Sequence, residues 1–278
     1  MRGPDRRPLL RPIRLALRPP VKKVVVGSRR ALFGASGGRL PDWLIVGAMK
    51  AGTTSLHHAL HQSRHAVSPA TKEVHFFDFN WARGDHWYRS HFLRVPGTRT
   101  GEASPSYLFH PRAAERAASL VPDIKLIVLL RDPVDRAYSH WAHQVRAGRE
   151  RLEFVEAIDA EPERLRASDP DDPESTHRHF SYVARGMYAD QLERWYDVFA
   201  RDQVLVLRAE DVFDDFPRAV ARVCTWLDLA TPATRRLVRR NTGMARPSLD
   251  LAVRRRLVQR YQAANGRLPR LVGDDIGW

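Results

Sequence analysis

Residues 46–56 hold the side-chain types and spacing of a phosphate-binding turn. The segment follows a short apolar run and reads Val-Gly-Ala-Met-Lys-Ala-Gly-Thr-Thr-Ser-Leu. Small residues let backbone N–H groups approach an anion, and the start of the following helix adds unsatisfied donors and the positive end of its dipole. The sequence therefore predicts a phosphate site made by Lys50, Ala51, Gly52, Thr53, Thr54 and Ser55.

The order of residues in this turn differs from that of an ordinary nucleotide kinase. The pattern G-x-x-x-x-G-K-[ST] places Lys after the second Gly and follows it with a magnesium-binding hydroxyl. Here Lys50 comes before Gly52. A magnesium-dependent phosphoryl transferase stays an alternative because Asp132 is available as a metal ligand, and metal-dependent ATP turnover would favour it.

A second candidate phosphate site follows the apolar run 124–130. Arg131 offers a planar guanidinium suited to a phosphate, and Ser139, eight residues later, lies about two turns along a predicted helix. The alternative is that Arg131 pairs with Asp132 or Asp135. Combined with the turn around Lys50, the segment indicates a ligand that carries two phosphate groups.

Two candidate bases lie in residues 72–77, Lys-Glu-Val-His-Phe-Phe. Strand-like alternation predicts that Glu73 and His75 share one face and one pocket, where either could take a proton from an acceptor. The alternatives are a salt bridge from Glu73 to Lys72 or a nearby Arg, and a purely structural role for His75.

Together these segments resemble the sulfotransferases that use 3′-phosphoadenosine-5′-phosphosulfate (PAPS), over about residues 41–278. Residues 72–78 are most similar to the heparan sulfate sulfotransferases and their bacterial relatives. The resemblance implies that PAPS is the co-substrate, without a metal, and that the turn holds its 5′-phosphate, with Lys50 stabilising the leaving phosphate. Arg131 and Ser139 would read the 3′-phosphate, Glu73 would be the general base, and His75 would orient Glu73 or the acceptor.

The resemblance extends less firmly to two other segments. In 241–247, Arg246 would help neutralise the 3′-phosphate, with a plain turn as the alternative. In 101–108, the heparan enzymes carry a Lys where this chain has Ala103, which weakens the case for a heparan-like acceptor. Glu102 and Ser104 are predicted to line the acceptor cleft, unless a turn at Ser104-Pro105 explains them. The implied acceptor is a hydroxyl on a carbohydrate, glycolipid or small metabolite.

The elements that must position these residues alternate between strand-like and helix-like from Trp43 onward. This alternation predicts an α/β fold, a single P-loop-like domain with a central, mainly parallel sheet flanked by helices. Both phosphate motifs follow strands, so they would face one nucleotide at the carboxyl ends. Residues 160–179 are predicted to be a surface loop. The predicted strands are 43–46, 124–130 and 204–207, and the predicted helices are 53–62, 134–146, 188–199, 213–227 and 249–261, the last followed by a docked terminal segment.

The charge of the chain is concentrated in a basic tail. The net charge is +14, and residues 1–40 hold eleven Lys or Arg against one acid, so they account for +10. We therefore expect no nucleic-acid partner for the domain at 41–278. The Pro/Arg-rich tail is predicted to be flexible, with attraction to an anionic membrane as the alternative and a signal peptide not favoured.

The sequence also indicates where the chain acts. Its longest apolar run is too short to cross a bilayer, and the single Cys224 excludes an intramolecular disulfide. We expect a cytoplasmic protein with peripheral membrane contact through residues 1–40. A nonenzymatic binder that acts through this tail is the alternative of a different class, and deletion of the tail would abolish its function.

Overall fold

A five-stranded sheet lies at the centre of the structure, a computed structural model that describes residues 27–28, 30–33, 37–233, 249–274 and 276–278. The strand order is β2-β3-β1-β4-β5, and every pairing is parallel. This confirms the predicted α/β class. The strands are β1 (Trp43–Gly47), β2 (Ala66–Val67), β3 (Arg99–Ala103), β4 (Lys125–Leu130) and β5 (Val204–Arg208).

The two central strands are apolar because helices cover both of their faces. Every residue of β1 is buried, and in β4 all but Lys125 are buried. Continuous apolar runs of this kind are typical of parallel strands enclosed on two sides. The strands predicted at 43–46, 124–130 and 204–207 are confirmed within one residue at each end.

Several helices begin where the sequence supplies a side-chain cap. Asp132 accepts a hydrogen bond from the Asp135 backbone N–H and so starts the helix that follows β4, with Pro133 in its first turn. Asp215 divides the helix predicted at 213–227 into two, because its side chain caps the second at the Arg218 N–H. The helices are α1 (Thr53–Leu60), α2 (Gly84–Arg89), α3 (Ala113–Leu120), α4 (Pro133–Arg146), α5 (Phe154–Arg166), α6 (Thr176–His179), α7 (Tyr188–Tyr196), α8 (Ala209–Asp214), α9 (Phe216–Trp226), α10 (Leu251–Asn265) and α11 (Leu268–Val272).

The surface loop predicted at 160–179 is wrong for much of its length. Helix α5 continues to Arg166, and α6 occupies the end of the segment, so the loop is 167–175. Helix α5 forms because Glu153 and Glu156 make a capping box and because Phe154 and Ile158 are buried.

Both ends of the described chain contact the domain. Ile276 is buried, and the Trp278 ring packs 5.9 Å from that of Tyr188, which confirms the docked terminal segment. On the amino-terminal side, Phe33 is buried and the Arg30 guanidinium lies 5.7 Å from the ring of Trp87. The domain boundary at residue 41 stays a prediction.

Some sequence-based expectations lie outside the described residues. They are the position of Arg246 and the membrane contact of residues 1–26. In the part of the chain that the structure describes, no helix is long and apolar enough to cross a bilayer.

Candidate active site

Three neighbouring strands end at the edge of the sheet where the predicted site residues lie. Strands β3, β1 and β4 are adjacent and parallel, so their carboxyl ends meet at one edge. Ser104 follows β3, the turn around Lys50 follows β1, and Arg131 follows β4. The topology therefore brings together motifs that are far apart in the sequence.

The turn after β1 combines two residues in the left-handed region with the start of a helix. Lys50 and Gly52 have φ values of 73° and 94°, and helix α1 begins at Thr53. Within the described residues, no side chain caps α1 at Gly52, and the Ser55 and Leu56 N–H groups donate to the Gly52 carbonyl oxygen at 2.9 and 3.3 Å. Thr54 and Ser55 are partly exposed, whereas Ala51 and Thr53 are buried.

Arg131 connects the two predicted phosphate sites. Its Nη1 donates to the carbonyl oxygen of Lys50 at 3.1 Å. The alternative pairing with Asp132 or Asp135 is not the arrangement found among the described residues, because both acids contact Arg254 instead. Ser139 is buried on α4, two turns beyond Arg131.

The strand predicted at 72–77 is wrong. Glu73 and His75 nevertheless lie close together, as that prediction expected. Glu73 and His75 have φ values of 60° and 55°, in the left-handed region, so the segment is a tight turn. His75 Nε2 lies 3.8 Å from Glu73 Oε2. Lys72 Nζ contacts the other oxygen of Glu73, so the predicted alternative salt bridge is also present.

Asp78 completes this cluster and had no role in the sequence-based prediction. Its Oδ2 lies 2.8 Å from His75 Nδ1. The Ser106 hydroxyl donates to the same carboxylate and lies 3.2 Å from His75 Nδ1. The spacing of three residues between His75 and Asp78, at the end of 72–78, is the sequence feature that could have identified Asp78.

The charges of the cluster support one another. Burial alone would raise the pKa of Glu73, but the hydrogen bond to His75 and the charge of Lys72 outweigh it and hold this pKa well below its ordinary value. Burial opposes the charge on His75, yet Asp78 and then Glu73 raise its pKa to about 9. Near neutral pH, Glu73 is therefore ionised and His75 carries a proton.

Glu102 supports this turn from inside the domain. Its carboxylate accepts from the Tyr88 and Tyr107 hydroxyls at 2.8 Å, and from the Val74 N–H at 3.1 Å. Ser104 accepts from the His75 N–H at 3.1 Å. Glu102 and Ser104 are fully buried, so the prediction that they line the acceptor cleft is wrong.

His143 lies within electrostatic range of both Lys50 and Glu73. Burial and the charge of Lys50 lower the pKa of His143 to about 4, and the charge of Glu73 acts on it in the opposite direction. His143 therefore lies within reach of both charges. It follows Ser139 by one helical turn on α4, a spacing that could have identified it.

The fold and the site define a P-loop-like α/β transferase. Residues 40–244 match the model of the sulfotransferase domain family, and the chain belongs to this family. This confirms the predicted resemblance and the prediction of an enzyme.

Individual proteins similar to this chain are also sulfotransferases by name. The chain is 31% identical over 279 residues to human heparan sulfate glucosamine 3-O-sulfotransferase 6, covering 88% of this chain and 75% of that protein. It is 36% identical over 191 residues to human bifunctional heparan sulfate N-deacetylase/N-sulfotransferase 3, covering 64% of this chain but 21% of that protein. A crystal structure of a sulfotransferase from Alicyclobacillus acidocaldarius matches with a TM-score of 0.72 and 33% identity, over 85% of this chain and 97% of that one.

Proposed function

We propose that the protein transfers a sulfuryl group from PAPS to a hydroxyl of a carbohydrate acceptor. The observation that carries the proposal is the hydrogen bond from Arg131 to the Lys50 carbonyl, because it makes the two cationic segments that would each hold a phosphate direct neighbours. The names of the relatives, which refer to heparan sulfate, support a carbohydrate over a glycolipid or a small metabolite.

The turn after β1 would hold the reacting end of PAPS. Backbone N–H groups at the start of α1, with the hydroxyls of Thr54 and Ser55, would bind the 5′-phosphate. Negative charge builds on the bridging oxygen as its bond to sulfur breaks, and the ammonium of Lys50 would stabilise that charge.

The other end of PAPS would lie against α4. Arg131 and Ser139 would hold the 3′-phosphate, since a guanidinium directly after β4 and a hydroxyl two turns along α4 belong to one strand–helix unit. Arg246, outside the described residues, stays a predicted third contact to this phosphate.

Glu73 would take the proton of the acceptor. The acceptor oxygen attacks sulfur, the bond from sulfur to the phosphate oxygen breaks, and the products are the sulfated acceptor, 3′-phosphoadenosine 5′-phosphate and a proton on Glu73. Its low pKa keeps Glu73 ionised at neutral pH, and its position next to the acceptor would let it take the proton as the transition state forms. The step needs no metal, and His75 would orient the carboxylate.

Incubation with ³⁵S-labelled PAPS and a panel of desulfated polysaccharides, oligosaccharides, glycolipids and phenols tests the proposal. We expect label on a carbohydrate, and transfer that persists in EDTA. Failure to transfer label and to bind 3′-phosphoadenosine 5′-phosphate would refute it, and magnesium-dependent ATP turnover would favour the phosphoryl-transferase alternative.

The cytoplasmic location and the membrane contact of the tail remain part of this proposal. Cell fractionation of the full chain and of a variant lacking residues 1–26 tests both. We expect the truncated variant to retain transfer activity and to lose any membrane-bound fraction.

A further inference from the structure

The acidic loop 167–175, here called the strap, is fastened to the domain chiefly through Asp171, with a longer contact from Asp169 to Arg112 at 3.5 Å. Asp171 contacts Arg112 at 2.5 Å, Arg116 at 2.8 Å and His110 at 3.0 Å. The two arginines lie at the start of α3 and within it, and His110 precedes that helix. The sequence predicted a surface loop at this position.

Arg116 carries this contact to the proposed catalytic turn. Its Nη1 and Nη2 hold both oxygens of Asp171, at 3.0 and 2.8 Å. The same Nη1 donates to the carbonyl oxygens of Phe77 and Asp78, at 3.0 Å each. The side chain of Asp78 in turn holds His75, so a continuous series of contacts runs from the strap to Glu73.

The strap is itself fixed, so Asp171 is more than a solvated surface charge. The Asp171 N–H donates to Asp169 at 3.0 Å, and the His177 N–H donates to Ser168 at 2.8 Å. Arg178 Nη1 donates to the carbonyl of Pro173 at 2.8 Å. Isolated surface ion pairs contribute little, but a bidentate pair within a braced network holds its geometry.

The turn needs such support because its backbone is unfavourable. Glu73 and His75 are both left-handed, a conformation that residues other than glycine adopt only when the surroundings impose it. Glu102 and Ser104 hold the turn at Val74 and at the His75 N–H. Arg116 holds it from the opposite end, at Phe77 and Asp78.

We propose that Asp171 is a positioning residue: through Arg116 it fixes the 73–78 turn and so sets the orientation of Glu73 toward the acceptor. This inference rests on the proposed sulfuryl transfer for its catalytic consequence. The strap would then affect the rate of the reaction. Binding of the donor would depend on other elements, namely β1, β4 and α4.

The test compares Asp171→Asn with Glu174→Gln, a matched control that removes one charge from the same loop. Glu174 lies near His179, at 3.7 Å, on the other side of the strap. We expect Asp171→Asn to lower kcat between about 10-fold and 100-fold with KM for PAPS unchanged, because small misplacement of a catalytic group has this effect. Arg116→Lys, which loses the guanidinium fork, should lower kcat similarly, and the double variant should be no worse than either single one.

A second measurement needs no activity. NMR titration of the His75 ring, assigned with His75→Gln, should give a pKa near 9 in the parent protein because Asp78 and Glu73 face it together with Ser106. In Asp171→Asn this pKa should fall toward its ordinary value. An unchanged His75 titration or an unchanged kcat in a folded Asp171→Asn protein overturns the inference, as does an equal effect of Glu174→Gln. If the parent transfers no sulfuryl group but Asp171→Asn still shifts the His75 titration, the proposed function fails and the positioning contact stands.

Discussion

At the scale of single residues, Glu73 and His75 form a pair in which each stabilises the charge of the other. Glu73 is partly exposed, with 44% of its side chain accessible, so an acceptor can reach it. His75 lies behind it and is held from the far side by Asp78. The pair thus presents an ionised carboxylate in a fixed direction, which is what removal of a proton during bond formation requires.

Substitution Glu73→Gln tests the general base. We expect kcat to fall by about 10²-fold to 10⁴-fold, the usual contribution of general base catalysis, while binding of 3′-phosphoadenosine 5′-phosphate stays unchanged. Initial rates with labelled PAPS and calorimetric titration measure the two quantities. Glu163→Gln, which alters an exposed acid of α5 paired with Arg166, is the control. A variant with full activity would remove Glu73 from the mechanism.

The raised pKa of His75 makes a prediction about stability. A group whose pKa is higher in the folded state stabilises the fold below its unfolded pKa, near 6.5, and this contribution is lost as pH rises through about 9. We expect His75→Gln to lower the free energy of unfolding by on the order of 2 kcal/mol at pH 6 and by much less at pH 10. Urea denaturation at both values measures it, with the exposed His86→Gln as control. A difference that does not depend on pH would contradict this assignment.

At the scale of elements, the turn between β1 and α1 is shaped by one glycine. Gly52 has a φ of 94°, and a Cβ placed there would lie 2.8 Å from Cε1 of Phe213 on α8. Both the left-handed backbone and the nearby Phe213 ring therefore require glycine at this position. The Phe213 ring therefore connects the turn between β1 and α1 to helix α8, which follows β5.

Substitution Gly52→Ala should deform the phosphate turn. The left-handed backbone alone costs about 1–2 kcal/mol for a residue with a Cβ, and the contact with Phe213 adds to it. We expect a lower melting temperature and binding of 3′-phosphoadenosine 5′-phosphate that is weaker by about tenfold or more. Gly148→Ala is the matched control, because its φ is 70° and no described atom lies within 4 Å of its Cβ. Equal effects on ligand binding in the two variants would contradict the prediction.

The elements that the sequence predicted well are those specified by residues that are neighbours in the sequence. Strands β1 and β4 are apolar runs, so the fold class could be predicted, and the segments proposed to hold the donor follow directly after these strands. The turn at 72–78 could not, because its shape depends on side chains of the segment 102–107, about 30 residues away in sequence. Alternation of residue types gives no information about such partners, and the pairing of Asp171 with Arg116 is hidden for the same reason.

At the scale of the whole molecule, the fold buries imidazole rings in their neutral form across several elements. Burial lowers the pKa of His61 just after α1 and of His91 after α2 to about 4, and that of His177 on α6 to about 3. The fully buried His140 on α4 is shifted in the same direction. These rings pack against aromatic neighbours, such as Trp43 beside His61 at 5.4 Å, and charging them would oppose that packing.

This distribution predicts that the whole domain loses stability in mild acid. A histidine whose pKa is lowered on folding binds its proton more readily in the unfolded chain, so stability falls as pH decreases from about 6.5 toward 4. We expect His61→Gln to reduce that loss by on the order of 2 kcal/mol, because one titrating ring is removed. Urea denaturation of parent and variant between pH 7 and 4 measures the two slopes, with the exposed His86→Gln again as control. Parallel slopes for parent and His61→Gln would mean that acid acts on the carboxylates instead, and that the buried rings are not what makes the fold sensitive to pH.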